Sequence, residues 1–565
     1  MPKILINEID NTLPGTPDSY SNYAVLLAGF SDTTKEVAPR SVYEFTSAQT
    51  FKNTIGLCAP KKSVTMSGSG SVQTIYHYGN QMAYELLNLG YKVIYKTIET
   101  IDDLTDVSFW EEFRDRASYD FRFVSHGLLS SAELSDEQKN LVTKLADVVL
   151  AIEELERITS IANSLVDAQT TDYQAELAVA QNVLYQKAIF NFFDIATATE
   201  TEREIYERLK LENTTVEAID NKNGFMIFDS VAQAKEDDMY ASFADAETGT
   251  RDEKDHYKSL LSGLVTSVTI NDANGIIANL AKYDAEDAAD NAGRGDCIAL
   301  IELDENSYTN NASADKPEVQ IVKAINEMSQ INDNNGKYCA MTVPSVVYKM
   351  ADNAVFENNK KFPGAFHYLA CFISSLKAGF AEWYAAAGYT RGVSSYVIDH
   401  TSVKLGEIAI NALEPRNITS QVTDPKFACN VIANFRGSYY LWGNRTAHRL
   451  TEKLGGGDLI ASHFLNIRQL CTTVKKQLYV ACRRFTFDPN SDTLWVNFVN
   501  AIKPTLELMK ADQGIRDYRI QKLNSDKKAT LKAKIRIIPI EAVEDFDLEV
   551  SLEDSFGETT AVVTE

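Results

Sequence analysis

At 565 residues the chain is too long for one hydrophobic core, and length alone gives roughly three or four domains. Hydrophobic residues make up 44% and aromatics 10%, which fills substantial cores and excludes wholesale disorder. Acidic residues outnumber basic ones, 79 to 55, for a formal charge of −24; this excludes a general nucleic-acid binder, which needs a basic footprint, and disfavours adhesion to anionic membranes.

In chain order, "MPKILINEID" predicts a short strand around Ile4, Leu5, Ile6 and Ile9, closed by the turn signals "NTLPGTPDS". A lone strand cut off by Pro14, Gly15 and Pro17 cannot bury itself, so it is expected to add to a sheet edge elsewhere. The same segment has acids where a signal peptide needs a long apolar run. "YAVLLAGF" (23–30) and "YKVIYKTI" (91–98) read as buried strands. Between them the helix "NQMAYELLNLG" ends on Gly90 at the C′ position.

Over 134–166 the character changes. Leu141, Leu145, Val148, Ile152, Leu155, Thr159, Ala162 and Val166 alternate spacings of four and three, a heptad stripe opened by the capping box Ser135/Gln138. A second helical stretch, about 173–211, predicts an antiparallel hairpin, and 212–275 reads as a polar, solvent-facing module.

Regular α/β patterning resumes with the strand "DCIALIEL" (296–303), a strand in "YCAMTVPSVVY" (338–348) and a long apolar helix over about 364–387. Lys377 and Glu382 interrupt that apolar window, so it is expected to be a buried helix and not a membrane span. The last third predicts two helices and then strands. "TLKAKIRIIPI" puts Lys532, Lys534 and Arg536 on one face, with Leu531, Ala533, Ile535 and Ile537 on the other. "DFDLEVSLE" mirrors it with acids, and residues 541–565 hold nine acids and no Lys or Arg. Faces of opposite sign can pair across a sheet, within one chain or between chains.

The search for chemistry is mostly negative. No GxxxxGK[ST], HExxH or GxSxG occurs. The seven cysteines, Cys58, Cys297, Cys339, Cys371, Cys429, Cys471 and Cys482, form no CxxC pair and read as reduced, small hydrophobes. "SGSGSVQ" (67–73) lacks the lysine of a phosphate loop, and "LGGGD" (454–458) reads as a turn. The seven histidines are dispersed; His448 and His463 could meet in space, and such a pair reads as surface or packing histidines. No catalytic, cofactor-binding or metal-ligating residue is assigned, and the chain is not read as an enzyme.

Four motifs of the last third carry a resemblance: "YYLWGNRT" (439–446), "LNIRQL" (465–470), "FTFDPNSDTLW" (485–495) and "KAKIRIIPIEAVEDFDLEV" (532–550). In order and spacing they resemble the contractile-tail sheath proteins of bacteriophages. The family pattern is Trp-Gly-x-Arg-Thr, Asn-Val-Arg-Arg, Phe-Glu-Pro-Asn with a downstream Trp, and a closing Ile-x-Pro-Val strand pair. The matching positions are Trp442, Gly443, Arg445 and Thr446, then Asn466, Ile467 and Arg468, then Phe487, Asp488, Pro489, Asn490 and Trp495. Gln469 stands where the family often has a second arginine, and Asp488 replaces the usual glutamate. "ILINEID", "LLAGFSD" and "RGDCIALIELD" are similar to the family's leading arm and N-terminal strands.

The resemblance implies an α/β (α+β) multidomain chain. Its expected parts are an N-terminal arm (1–20), a first α/β part (21–127), a largely helical inserted outer domain (128–275), a second α/β part (276–380), an inner sheath domain of mixed sheet and helices (381–553) and a C-terminal arm (554–565). It implies a structural subunit of the virion's tail sheath, built in the host cytoplasm, which polymerises as hexameric rings around a tail tube and contracts. Its partners would be other copies of itself, the tube protein, and the baseplate and tail terminator proteins, with no nucleic acid, membrane insertion or cofactor. The arm strands would be Ile4, Leu5, Ile6 and Ile9 and, at the other end, Ala561, Val562 and Val563. Lys503 and Lys510 are expected to face the tube, and Arg445 to bond Asp488 or backbone carbonyls in a structural role. Alternatives are the sheath of a phage-tail-like contractile injection particle and a virion decoration or host-binding protein.

Overall fold

The computed structural model describes residues 23–66, 72–131, 265–266, 268–282, 293–309, 313–328, 331, 333–349, 361–413, 429–448, 460–524, 530–540 and 542. Both expected arms, the 134–211 hairpin and the acidic strand "DFDLEVSLE" lie outside the described residues.

An eight-stranded sheet dominates, in the order β15-β14-β10-β9-β6-β1-β5-β2. Its strands are β1 (Ala24–Gly29), β2 (Val42–Phe45), β5 (Lys92–Thr97), β6 (Phe123–Ser125), β9 (Ile298–Ile301), β10 (Cys339–Val343), β14 (Asn430–Phe435) and β15 (Ser438–Trp442). The six central strands pair in parallel, and the two edge strands, β2 and β15, run antiparallel to their neighbours. Parallel strands need both faces covered, which explains why β1 reads "AVLLAG" with no polar alternation. Ala24, Leu26 and Ala28 enter the core on one face, with Trp110, Ile277 and Met341. Val25 and Leu27 enter the other, with Met82, Phe366 and Leu369.

Helix α1 (Gly79–Asn88) forms where predicted and stops at Gly90, whose φ of +94° only glycine adopts without strain. Helix α2 is Val107–Glu111, and α3 (Ile270–Ala281) packs against β9. The expected domain boundary at 275/276 therefore falls inside a helix, because Ile270, Ala273 and Ile277 share one core. Likewise β14 and β15 lie beyond residue 381 yet complete the large sheet.

The segment 338–348 forms two strands in place of one. Pro344 has no N–H to donate to a ladder, so β10 ends at Val343 and β11 (Val346–Tyr348) starts a separate sheet with β12 (Lys361–Phe362) and β13 (Ile398–Thr401). A four-stranded sheet, β7-β4-β3-β8, joins β3 (Lys61–Met66), β4 (Val72–His77), β7 (Leu128–Ser131) and β8 (Val265–Thr266). The helix expected over 364–387 is shorter: α4 spans Gly364–Lys377, and Gly379 at φ +89° ends it. The apolar pattern runs on because Trp383 serves a different core.

That second core lies between α5 (Leu465–Arg484), α6 (Asp492–Ala511) and an antiparallel pair, β16 (Ile515–Leu523) and β17 (Lys532–Pro539). Trp383, Leu470, Val474, Phe498, Ile502, Leu506, Met509 and Ile515 fill it. The inward residues of the strand pair, Tyr518, Ile520, Ala533, Ile535 and Ile537, are only partly buried against it.

Candidate assembly surface

The first sheath-like motif follows the β14–β15 hairpin, which turns at Arg436 (φ +52°) and Gly437 (φ +89°). Trp442 stacks edge-on against Phe435, with ring centroids 4.9 Å apart, and Tyr440 meets Tyr389 at 4.8 Å. At Gly443, φ is +142°, and a Cβ there would sit 3.0 Å from the Cα of Asn430. The close approach lets Asn430 staple the strand end. Its Nδ2 donates to the carbonyls of Met341 (3.0 Å) and Arg445 (2.9 Å), and its Oδ1 accepts the Arg445 N–H at 2.7 Å.

Arg445 is 3% exposed, and its guanidinium lies over the Phe464 ring at 4.8 Å. Its backbone also bridges to Phe464, just before α5. The partner expected for it, Asp488, lies in the exposed turn after α5. A helix of 20 residues separates the two positions, which is about 30 Å at 1.5 Å per residue. Arg445 thus stacks on an aromatic ring where the strand meets the helix, and the length of that helix sets it apart from Asp488. Thr446 completes the junction: its Oγ1 donates to the Ser462 carbonyl at 2.7 Å and its N–H to the His463 carbonyl at 2.8 Å.

The second motif meets the first through a residue that motif matching passes over. Asn444 Nδ2 donates to Asn466 Oδ1 at 2.7 Å, and the Asn466 N–H donates back to Asn444 Oδ1 at 2.9 Å. The Leu465 N–H also bonds the Asn444 carbonyl at 3.0 Å, so Asn444 satisfies two of the free donors at the start of α5. Asn466 Nδ2 reaches the Trp383 carbonyl at 3.2 Å and ties the second core in. Arg468 stacks on Tyr338 at 4.6 Å. Lys475, one face along, donates to the Gly295 carbonyl at 2.8 Å; burial, then the nearby Arg468 charge, brings its ammonium down to about 8.

Gln469 is held in a buried hydrogen-bond network. It is 1% exposed, its Oε1 accepts from Arg122 Nη1 at 2.8 Å and its Nε2 donates to the Tyr368 hydroxyl at 3.1 Å. Arg122 occupies the cationic place instead and also bonds Thr473 Oγ1 at 2.5 Å.

The third motif forms the tip between α5 and α6. Phe487, Asp488, Pro489 and Asn490 are all exposed there, and Ser491 caps α6 by accepting the Leu494 N–H at 3.3 Å. Trp495 packs on Phe498 at 6.0 Å. Lys503 and Lys510 lie seven residues apart on the exposed side of α6, and Lys510 pairs with Asp517 at 3.0 Å.

Strand β16 is absent from the sequence reading, although Tyr518 and Ile520 alternate with Arg519 and Gln521. Arg519 lies directly opposite Arg536, and Gln521 opposite Lys534. Like charges directly across a ladder are destabilising, so this face is basic at a cost. Only two strands make up this sheet among the described residues, with β16 and β17 each bonded on one side.

His448 and His463 do meet, with rings 4.5 Å apart and 29° from parallel. Among the described residues, no group of three or more His, Cys, Asp or Glu side chains could hold a metal ion. No described helix is long and apolar enough to cross a membrane.

No family model and no curated relative matches the chain. Its fold is similar to that of contractile sheath structures. The anti-feeding prophage helical sheath in its contracted state matches at a TM-score of 0.44 and 10% identity, over 98% of this chain and 99% of that one. The anti-feeding prophage baseplate matches at 0.34 and 14%, over 50% of this chain and 65% of that chain. The PVC sheath complex of an extracellular contractile injection system, also contracted, matches at 0.34 and 15%, over 47% and 66%. The chain thus spans less than two thirds of the length of the latter two structures.

Proposed function

We propose that this chain is the structural subunit of a contractile tail sheath, polymerising as hexameric rings around a tail tube and contracting to drive the tube through a host envelope. The observation that carries the reading is the β16–β17 pair. A two-stranded sheet is marginal by itself, and among the described residues this one leaves its inward apolar row half covered and an edge open on each side. Added strands from neighbouring subunits would complete it, with main-chain bonds giving affinity and alternate side chains giving register. The candidate strands are Ile4, Leu5, Ile6 and Ile9 at one end of the chain and Ala561, Val562 and Val563 at the other. Arms held in a neighbour's sheet would keep the lattice connected while the subunit bodies move. A bistable interface supplies the work of contraction, which needs no nucleotide and fits a sequence without a phosphate loop.

In this reading the partners are other copies of the chain, the tube through Lys503 and Lys510, and the baseplate and terminator at the ends. Residues 128–275 would form an outward insertion. The particle would assemble in the host cytoplasm and act in the virion tail. Electron microscopy of the purified protein at stepwise increasing concentration tests this. Long striated tubes with a hollow lumen are expected, and deletion of residues 1–20 should abolish them. Closed oligomers of fixed size would reject the sheath and favour a decoration protein.

A further inference from the structure

The outward face of the β16–β17 pair carries more positive charge than its neighbourhood balances. Arg519 lies opposite Arg536 and Gln521 opposite Lys534, and all four are exposed. The ion pairs of this unit, Lys510 with Asp517 and Lys522 with Asp492, leave Lys534 and Arg536 without a carboxylate among the described residues. On the inward face Ala533, Ile535 and Ile537 are only partly buried. A strand added beside β17 must therefore be acidic on one side and apolar on the other.

The sequence just past β17 has that pattern. Asp545, Asp547 and Glu549 alternate with Phe546, Leu548 and Val550, the period of two that sends successive side chains to opposite faces of a sheet. The charge is one-sided as well, since residues 541–565 hold nine acids and no Lys or Arg. Register follows from the two patterns together. A turn through the four residues 540–543 is an ordinary hairpin length. It sets Phe546 beside Ile537, Leu548 beside Ile535 and Val550 beside Ala533. The same register sets Asp547 opposite Arg536 and Glu549 opposite Lys534. A slip of one residue would turn every acid onto the apolar face. So short a tether also holds the strand at an effective concentration of millimolar order, far above that of a second copy in dilute solution.

We propose that in the free subunit residues 545–550 pair antiparallel with β17 of their own chain as a third strand, with Asp547 and Glu549 beside Arg536 and Lys534. The strand then fills one of the two edges that a neighbour's arm would use in a sheath. Each subunit thereby keeps a polymerisation edge closed until that strand is exchanged for a neighbour's. This guarding role rests on the sheath reading; the third strand itself does not.

A cysteine pair tests the strand. Opposite Cα atoms of an antiparallel pair lie about 4.5–5.5 Å apart, within reach of a disulfide. The full-length protein carries Lys534→Cys and Glu549→Cys in a Cys482→Ser background, which removes the exposed native thiol. Oxidised in dilute solution, it should form an intrachain disulfide, read by peptide mass mapping. Moving the first cysteine one strand over, to Arg519→Cys, should slow that disulfide at least about tenfold, because a docked strand reaches β17 and not β16. Equal rates would mark a loose tail held by charge alone and would overturn the proposal. So would the absence of a disulfide, or disulfides only between chains, which would make a neighbour the occupant. For the guarding role, the oxidised Lys534→Cys/Glu549→Cys protein should need at least about tenfold more protein to self-associate than the same protein reduced. Equal thresholds would overturn that role. An intrachain disulfide in a protein that self-associates in neither form would reject the sheath reading and leave the third strand standing.

Discussion

The large sheet and the α5–α6 unit solve the burial problem in opposite ways. In the first, six parallel strands are covered on both faces, and β1 is at most 1% exposed from Ala24 to Ala28. In the second, two helices support a strand pair whose inward residues stay half exposed. The first is complete within one chain. Among the described residues the second has a basic outer face and two strands each bonded on one side, and its stability is expected to depend on what covers them.

Four perturbations separate the two. The largest effect should come from Leu26→Ala, at the centre of the fully covered sheet, which should cost about 2–5 kcal/mol; a thermal scan should show the main transition fall while tube formation by the survivors is unchanged. Gln469→Arg should cost about 3–5 kcal/mol, because it sets a second guanidinium against buried Arg122, whose nearest carboxylate, Glu382 at 3.7 Å, already faces one cation. A Gln469→Arg protein as stable as the wild type would refute this account of the Gln469–Arg122 pair.

The third effect is pH dependent. Burial brings His367 down to about 3, and its Nδ1 bonds the Tyr348 hydroxyl at 2.8 Å. The unfolded chain therefore binds a proton that the folded chain refuses, so this contribution is complete above about pH 6.5 and is lost as pH falls toward 3. At pH 5 the loss is about 2 kcal/mol. Denaturant midpoints of wild type and His367→Phe between pH 7 and 5 should show a shallower slope in the variant. Equal slopes would mean that His367 is protonated in the folded protein.

The smallest effect is the most diagnostic. Arg519→Glu replaces a like-charge cross-strand pair with an attractive one and should stabilise the isolated subunit by about 0.2–1 kcal/mol. If the basic face exists to receive acidic strands, the same change should weaken assembly. A gain in both would show that the charge serves neither role.

The sequence was most legible where local rules and burial agree. The runs "AVLLAG" and "CIALI" read as buried strands because both faces of a parallel sheet demand apolar residues, and Gly90 marked a helix end by its own backbone freedom. The helix from 364 was read too long because apolar periodicity does not tell which core a residue serves, and Trp383 turns away to the second one. Strand β16 escaped because "IRDYRIQKL" is mostly polar, as an edge with one weakly buried face must be. Trp442, Gly443, Arg445 and Thr446 stand out in the sequence as a motif, and in the structure they lie where the β14–β15 hairpin leads to α5. The residues that lock it, Asn430 in a strand and Asn444 after Gly443, carry no signal of that role, since reciprocal amide bonds depend on tertiary placement. The choice of Asp488 as an ion partner failed for a plain reason: motif spacing says nothing about the length of the helix between.

Helix α5 has a mechanical consequence. Its first turns are fixed in the large sheet, where Leu465 is buried and Gln469 is held by Arg122 and Tyr368. Farther along, Leu470 and Val474 already belong to the other core. A rigid rod clamped at one end acts as a lever: a tilt of 10° about the clamp would carry the far end of a helix about 30 Å long through about 5 Å. The tip residues Phe487 and Asp488 ride on that far end. A small rotation at the asparagine clasp is therefore magnified into a displacement of roughly one helical turn at the exposed tip.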